Sequence, residues 1–309
     1  MKLEKYGIID KDLEEWKEVF LSEKKLTITE SSVQTYRNRI DRFIEFSYLE
    51  RVVEEQNLTI KDINRYFILG FINYLKDEIA PKSSTIKAYI DTLKVFFMYI
   101  TENNEDAFDL TTSFKKLNLK TEHKIKPAFN SVEVQRIETA IKDKLSSNII
   151  FSKYRNYLML YFLLKTGMRG FEVINLKLDD ISIEGNFYRI KIKGKGGKER
   201  INYIKYNELS TFFNKYMSKR LIKSDFLFPN KNGNKISRFT LYTFNKRFLE
   251  KLYINKSGLH IYRHTFARQM VAKKENLATI SQWLGHSDVS ITYRYYARAG
   301  EEDLKNMIS

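Results

Sequence analysis

The chain contains no cysteine, which excludes disulfides and any zinc site built on thiolates. Its opening residues, MKLEKYGIIDKDLEEW, lack an apolar signal core. The longest apolar run, Tyr157 to Leu164, is far too short to cross a bilayer. These absences point to a cytoplasmic protein with no membrane association. Internal repeats and low-complexity tracts are missing as well. Acidic residues are in deficit: 38 Asp and Glu face 54 Lys and Arg, a formal net charge of +16. A field of that sign attracts a polyanion, nucleic acid above all. Lysine-rich composition is also common in ordinary proteins, so charge raises the nucleic-acid reading without deciding it. What is present in quantity is apolar and aromatic material, 43% and 14% of the chain, the composition of a packed globular protein. At 309 residues there is room for two domains.

The first 110 residues read as a small helical domain. Lys11 to Leu21 is amphipathic. Ser31 or Ser32 caps a second helix with apolar Val33, Tyr36, Ile40, Phe43 and Ile44 at steps of three and four. Thr59 opens a third, which Pro81 ends, and Ser83 or Ser84 caps a fourth through Ile86, Ile90, Leu93 and Phe97. Lys82, Ser83, Ser84, Thr85 and Lys87 at that last helix start are candidate phosphate contacts, or ordinary caps on a solvated end. Residues 111–129 lose hydrophobic periodicity, are polar and basic, and contain Pro127, as an interdomain linker would. Residues 130–309 form a second domain. It begins with a helix capped at Ser131 and another from Lys153 to Leu164. A three-stranded antiparallel meander between Ile181 and Ile204 turns tightly at Lys193 to Lys198. Helices return at Tyr206 to Lys219, Phe239 to Leu252, after Leu259, and at Ala278 to Leu284. The fold class expected is therefore mainly α with a small antiparallel β-sheet.

Chemistry concentrates in the second domain. Arg169 opens a short helix with Glu172 three residues on, on the same face. Lys195 lies at the hairpin tip, in a glycine-rich turn without the P-loop pattern. Three of the four histidines, His260, His264 and His286, fall near the end of the chain with Tyr293, Tyr295 and Tyr296. His260 and Arg263 share a helix face. Gly285 ends a helix and presents His286 just beyond it. Singly, each has a plain explanation: a surface Arg169–Glu172 pair, a solvated lysine, core tyrosines. His260 and His264 could be paired metal ligands, but Ile261 stands where a zinc protease carries glutamate, and we assign no metal and no cofactor.

Together, the motifs TGMRGFEV (166–173), GKGGKER (194–200), HIYRHTFA (260–267) and LGHSDVSITYRYY (284–296) resemble those of the tyrosine recombinases of the phage-integrase family, Xer-type enzymes in particular. The resemblance spans the catalytic domain. In the helical domain it rests on SSTIKAYIDTLKVFFMYI (83–100) and implies a SAM-like core-binding domain, the two domains forming a C-shaped clamp on DNA. It implies that Arg169 and Arg263 grip the scissile phosphate and stabilise its transition state, and that His286 adds a hydrogen bond. Tyr295 attacks to give a 3′-phosphotyrosine link. A phenol with a pKa of about 10 is almost wholly protonated at neutral pH, so His260 suits the role of base. Lys195 protonates the leaving 5′-oxygen. Glu172 orients Arg169, and His264 is structural.

The implied partners are a double-stranded recombination site, three further copies of the chain in a tetramer, and an accessory regulator. Chromosome-dimer resolution is the expected role, since no arm-binding domain precedes the helical one. A mobile-element integrase, a type IB topoisomerase-like relaxing enzyme and a catalytically silent DNA-binding protein are the alternatives. Filled catalytic positions argue against the last.

Overall fold

The structure is a computed structural model that describes residues 13–54, 63–79, 82–103, 109–115, 117, 127–194 and 197–285, with backbone alone at 50–54 and 79. The chain divides into two compact units, residues 1–124 and 125–309. Among the described residues no helix is long and apolar enough to cross a membrane.

The first unit contains α1 (Leu13–Lys24), α2 (Glu30–Glu54), α3 (Arg65–Tyr74) and α4 (Ser83–Asn103). The three-and-four spacing of Ile86, Ile90, Leu93, Phe97 and Ile100 puts one face of α4 into the core. There Phe43 meets Phe71 and Phe97 edge-on at 5.0 and 5.5 Å, the geometry that the ring quadrupole favours. The third helix opens at Arg65, where Asn64 supplies the cap: its side chain accepts from the N–H groups of Tyr66 and Phe67, while Thr59 lies outside the described residues. At α4 the first main-chain bonds return to the Lys82 carbonyl, so Lys82 and not a serine holds the cap position. A 3₁₀ turn at Leu110–Phe114 buries Leu110 and Phe114 in this core. The opening residues of the basic segment 111–129 thus pack with the first unit, while Ala128 and Phe129 at its other end are buried in the second.

The second unit is assembled around α6 (Phe151–Thr166), whose residues from Tyr154 to Leu164 are all buried. Within α6 the polar Arg155 bonds to Asn156 and to the Pro229 carbonyl, and a helix buried on every side is wrapped by its neighbours. They are α5 (Ser131–Ser146), α8 (Tyr206–Lys219), α9 (Arg238–Lys251) and α10 (His260–Ala272). Helix α5 begins at Ser131 but is capped by Asn130, in a reciprocal arrangement with Glu133. The meander forms as expected: β1 (Ile181–Glu184), β2 (Phe187–Lys193) and β3 (Glu199–Lys205) pair antiparallel, with Ile192 opposite Arg200 and Ile190 opposite Asn202. Alternation turns Ile190, Ile192, Asn202 and Ile204 inward. Between α6 and the sheet lies the short α7 (Gly170–Asn175), and α11 (Leu277–Leu284) closes the described part.

Helix α6 ends at Gly167 in the left-handed conformation, φ 63°. A Cβ there would lie 2.7 Å from the Phe266 ring on α10. We therefore expect Gly167→Ala to lower the thermal unfolding midpoint, by roughly 1–3 kcal/mol of stability from backbone strain and overpacking together. Gly185→Ala, with φ 56° and open space around the new carbon, should show the backbone cost alone. Equal midpoints for the two variants would mean that the α6–α10 approach is not tight.

Candidate active site

The end of α6 is where the functional side chains begin to meet. Its last carbonyl, that of Thr166, accepts from Asn202 Nδ2 on β3 at 3.1 Å and from Trp283 Nε1 on α11 at 3.0 Å. The next carbonyl, Gly167, accepts from Arg263 Nη1 at 3.3 Å. These bonds satisfy helix-end oxygens that have no intrahelical partner. They also tie the sheet, α10 and α11 to the turn that leads into Arg169.

Arg169 caps α7. Its main-chain N–H donates to Glu172 Oε2 at 2.6 Å, and its Nη1 donates to Glu172 Oε1 at 2.9 Å. Glu172 thus binds both the main chain and the side chain of Arg169, and it has a second and stronger partner. Arg200 on β3 makes a two-pronged pair with the same carboxylate, Nη1 to Oε1 at 2.8 Å and Nη2 to Oε2 at 2.7 Å. The side chains of Glu172 and Arg200 are 2% and 9% exposed, that of Arg169 35%. Burial acts to raise the Glu172 pKa, yet Arg200's bonds and charge, with Arg169's bonds, outweigh it and hold the carboxyl below its ordinary range.

Arg263, on the first turn of α10, is buried at 3% exposure. Besides Gly167 it reaches the Leu284 carbonyl at the end of α11, at 2.7 Å. His260 stands exposed at the first position of α10. The shared face predicted for His260 and Arg263 therefore splits by depth, the imidazole at the helix mouth and the guanidinium beneath. A Cβ on Gly170 would come 2.7 Å from Leu259 Cδ1, so the residues adjoining Arg169 and His260 in the chain touch. His264 is half-buried, its ring 6.4 Å from that of His260.

Arg169, Glu172, His260 and Arg263 are thus held by one connected set of elements. Lys195, His286, Tyr293, Tyr295 and Tyr296 lie outside the described residues. In the sequence Lys195 falls between β2 and β3, where the Gly194 N–H donates to the Lys198 carbonyl at 2.8 Å. Lys82, Ser83, Ser84, Thr85 and Lys87 are exposed at the start of α4, with Lys87 Nζ 3.4 Å from Asp91. Among the described residues no group of three or more His, Asp or Glu could hold a metal ion. Sequence reasoning passed over Arg200, Asn202 and Trp283. The available signal was strand alternation, which puts Arg200 and Asn202 on the inward face with Ile204.

Residues 128–302 match the Phage integrase family, and residues 12–103 match the Phage integrase SAM-like domain. The chain is 26% identical to the tyrosine recombinase XerH of Helicobacter pylori, over 90% of this chain and 79% of that protein. It is 30% identical to the tyrosine recombinase XerD of Staphylococcus haemolyticus, over 92% of each. Crystal structures of XerH bound to its difH substrate are similar too. The pre-cleavage complex aligns with a TM-score of 0.72 at 26% identity, covering 85% of this chain and 76% of that one. The post-cleavage complex on a palindromic difH aligns at 0.76 and 25%, covering 90% and 80%.

Glu172 makes the site sensitive to acid. Its folded pKa lies below its unfolded one, so the unfolded chain binds more protons in that window. The stability it confers is complete above the unfolded value of about 4.3 and is lost as pH falls through the lower folded value. Chemical unfolding of Glu172→Gln should accordingly show a deficit at neutral pH that shrinks as pH drops below about 4. A deficit constant from pH 7 to 3 would show that the carboxylate's charge is not what is lost.

Proposed function

Because the chain belongs to the phage integrase family, we propose that it is an Xer-like site-specific recombinase, which cuts and rejoins duplex DNA through a 3′-phosphotyrosine intermediate and a Holliday junction. The observation that carries this reading is the connected set of Arg169, Glu172, His260 and Arg263 at the junction of α6, α7 and α10, inside the segment that matches the family. The similarity to Xer recombinases over both units supports chromosome-dimer resolution as the biological role.

Two guanidiniums suit the chemistry. Each is planar, always charged, and offers paired donors to the non-bridging oxygens of a phosphate. Charge grows on those oxygens in the transition state, and fixed cations in a partly dehydrated site stabilise it without reorganising. His286 adds a donor, and Tyr295 is the nucleophile. His260 accepts the phenolic proton, and Lys195 delivers one to the departing 5′-oxygen. The tyrosyl–phosphate bond conserves the energy of the bond broken, so religation needs no nucleotide. Lys82, Ser83, Ser84, Thr85 and Lys87 contact phosphates from the helical unit, and four protomers assemble on two sites, as the family's chemistry of two exchanged duplexes requires.

Three tyrosines are available to attack, and spacing selects one. Tyr295 follows His286 by nine residues, the family's interval. Tyr293 lies half a helical turn from Tyr295, and Tyr296 lies about 100° round from it, if the segment is helical, so the three cannot face one phosphate. Tyr295→Phe should abolish the covalent adduct on a suicide duplex while leaving DNA affinity nearly unchanged. Tyr293→Phe and Tyr296→Phe should still form it. An adduct peptide mapped by mass spectrometry to Tyr293 or Tyr296 would overturn the assignment. The same cleavage should proceed in EDTA and without ATP, and a strict requirement for magnesium would remove the case for phosphotyrosine chemistry.

Binding should be steeply sensitive to salt. With a net charge of +16, log K for a duplex half-site should fall linearly with log salt, each neutralised phosphate adding about 0.9 to the slope. Lys82→Ala and Lys87→Ala should each reduce the slope by roughly one. A nearly flat dependence would mean that phosphate contacts are not the source of affinity.

A further inference from the structure

Arg200 carries none of the roles assigned above, yet two segments of the chain converge on it. Its two Nη groups hold both oxygens of Glu172 on α7, and its Nε donates to the Trp283 carbonyl at the end of α11 at 2.9 Å. Gly285, which caps α11 with φ 68°, lies so close that a Cβ would meet Arg200 Cδ at 2.9 Å. Beyond Gly285 the sequence continues with His286.

We propose that Arg200 is a positioning residue, which locks Glu172 to the C-terminal end of α11 so that the Arg169 guanidinium is held in the direction from which it meets the phosphate. The proposal rests on the recombinase reading given above. A buried ion pair is a poor device for stability alone, since dehydrating both charges offsets most of their attraction and an apolar pair often serves as well. What such a pair does secure is direction. The guanidinium is one rigid plane, and here it fixes two carboxylate oxygens and one main-chain carbonyl in a single geometry. The carboxylate it holds also holds the Arg169 side chain and main chain. Displacing Arg200 therefore frees Arg169 on one side and the α11 end on the other. A lysine retains the charge but cannot reproduce the fork.

The test uses the full chain with Arg200→Lys and Arg200→Ala on a suicide duplex, in two forms: the ordinary one and one with sulfur at the bridging 5′ position. A sulfur leaving group departs without protonation, so it relieves the loss of an acid but not the loss of a phosphate grip. For folded Arg200→Lys we expect DNA affinity within about twofold and single-turnover adduct formation at saturating DNA slowed at least ~tenfold, as a misplacement on the order of 1 Å would do. The deficit should be the same on the sulfur duplex, whereas Lys195→Ala should regain its rate there. Arg200→Ala removes the two-pronged partner of buried Glu172 and leaves it Arg169 alone, which threatens folding. Arg200→Lys, with its charge kept, decides the matter in that event. An adduct rate within about twofold of the unsubstituted chain overturns the proposal. So does a rate loss that merely follows lost DNA affinity, or sulfur rescue of Arg200→Lys to the extent seen for Lys195→Ala. An unsubstituted chain that forms no adduct on either duplex overturns the recombinase reading itself.

Discussion

A carboxylate shut away from water between two arginines is the interaction on which the site's arrangement depends. Glu172 is all but buried, and its charge is tolerable there only because it accepts from the Arg169 N–H and from both guanidiniums. The converse matters as much. In a chain with a surplus of sixteen positive charges, Arg169 and Arg200 would repel one another without an anion between them. Glu172 is that anion, set three residues after Arg169 so that the helix start itself brings the carboxylate back onto the residue before it. Arg169 remains partly exposed and directed by the pair. Its orientation is settled before any anion arrives.

That arrangement is handed down from the core. Helix α6 is buried on every face from Tyr154 to Leu164, so its place is fixed by packing from all directions. A left-handed glycine stops it abruptly, and within two residues the chain passes from the most buried helix to Arg169. The oxygens left over at the helix end recruit Asn202, Trp283 and Arg263. Core packing thus sets the coordinates from which the polar network is built, and the glycines at 167 and 170 let α10 come close enough to join it.

How much of this was legible in the sequence follows from the range of the forces involved. Helices, strands and the turn at Gly285 are local, so periodicity and a few cap residues exposed them. The meander and the α11 glycine cap were placed within a residue or so. Two caps were misjudged: Lys82 and Asn130 hold positions that were given to serine, Asn130 because its side-chain oxygen accepts from the Glu133 N–H, Lys82 through its main-chain carbonyl alone. The Arg169–Glu172 pair was visible because its members are three apart. Arg200 was not, because the carboxylate it serves lies twenty-eight residues away in sequence and an arginine near a lysine-rich hairpin looks like more surface charge. Its position on the inward face of β3 distinguishes it, and only pairing with α7 gives that face a meaning. His260 and Arg263 illustrate the opposite limit. Spacing put them on one face correctly, but spacing carries no depth, and the helix start exposes one while burying the other.

Helix α11 shows why these long-range contacts are arginines. Its eight residues are too few to be stable alone, and its docking relies on buried Ile280 and Leu284 and on Trp283 stacked 5.9 Å from Phe266. Its C-terminal carbonyls are the negative end of the helix and lack partners within it. Arg200 takes the Trp283 oxygen from the sheet side, and Arg263 takes the Leu284 oxygen from α10. A lysine could neutralise that end, but it could not also hold Glu172 by both oxygens or reach Gly167 from the same plane. The two arginines thereby make the exit direction of the chain at Gly285 a function of where Glu172 and the end of α6 lie. The geometry that orients Arg169 and the geometry that fixes Gly285 have a common origin.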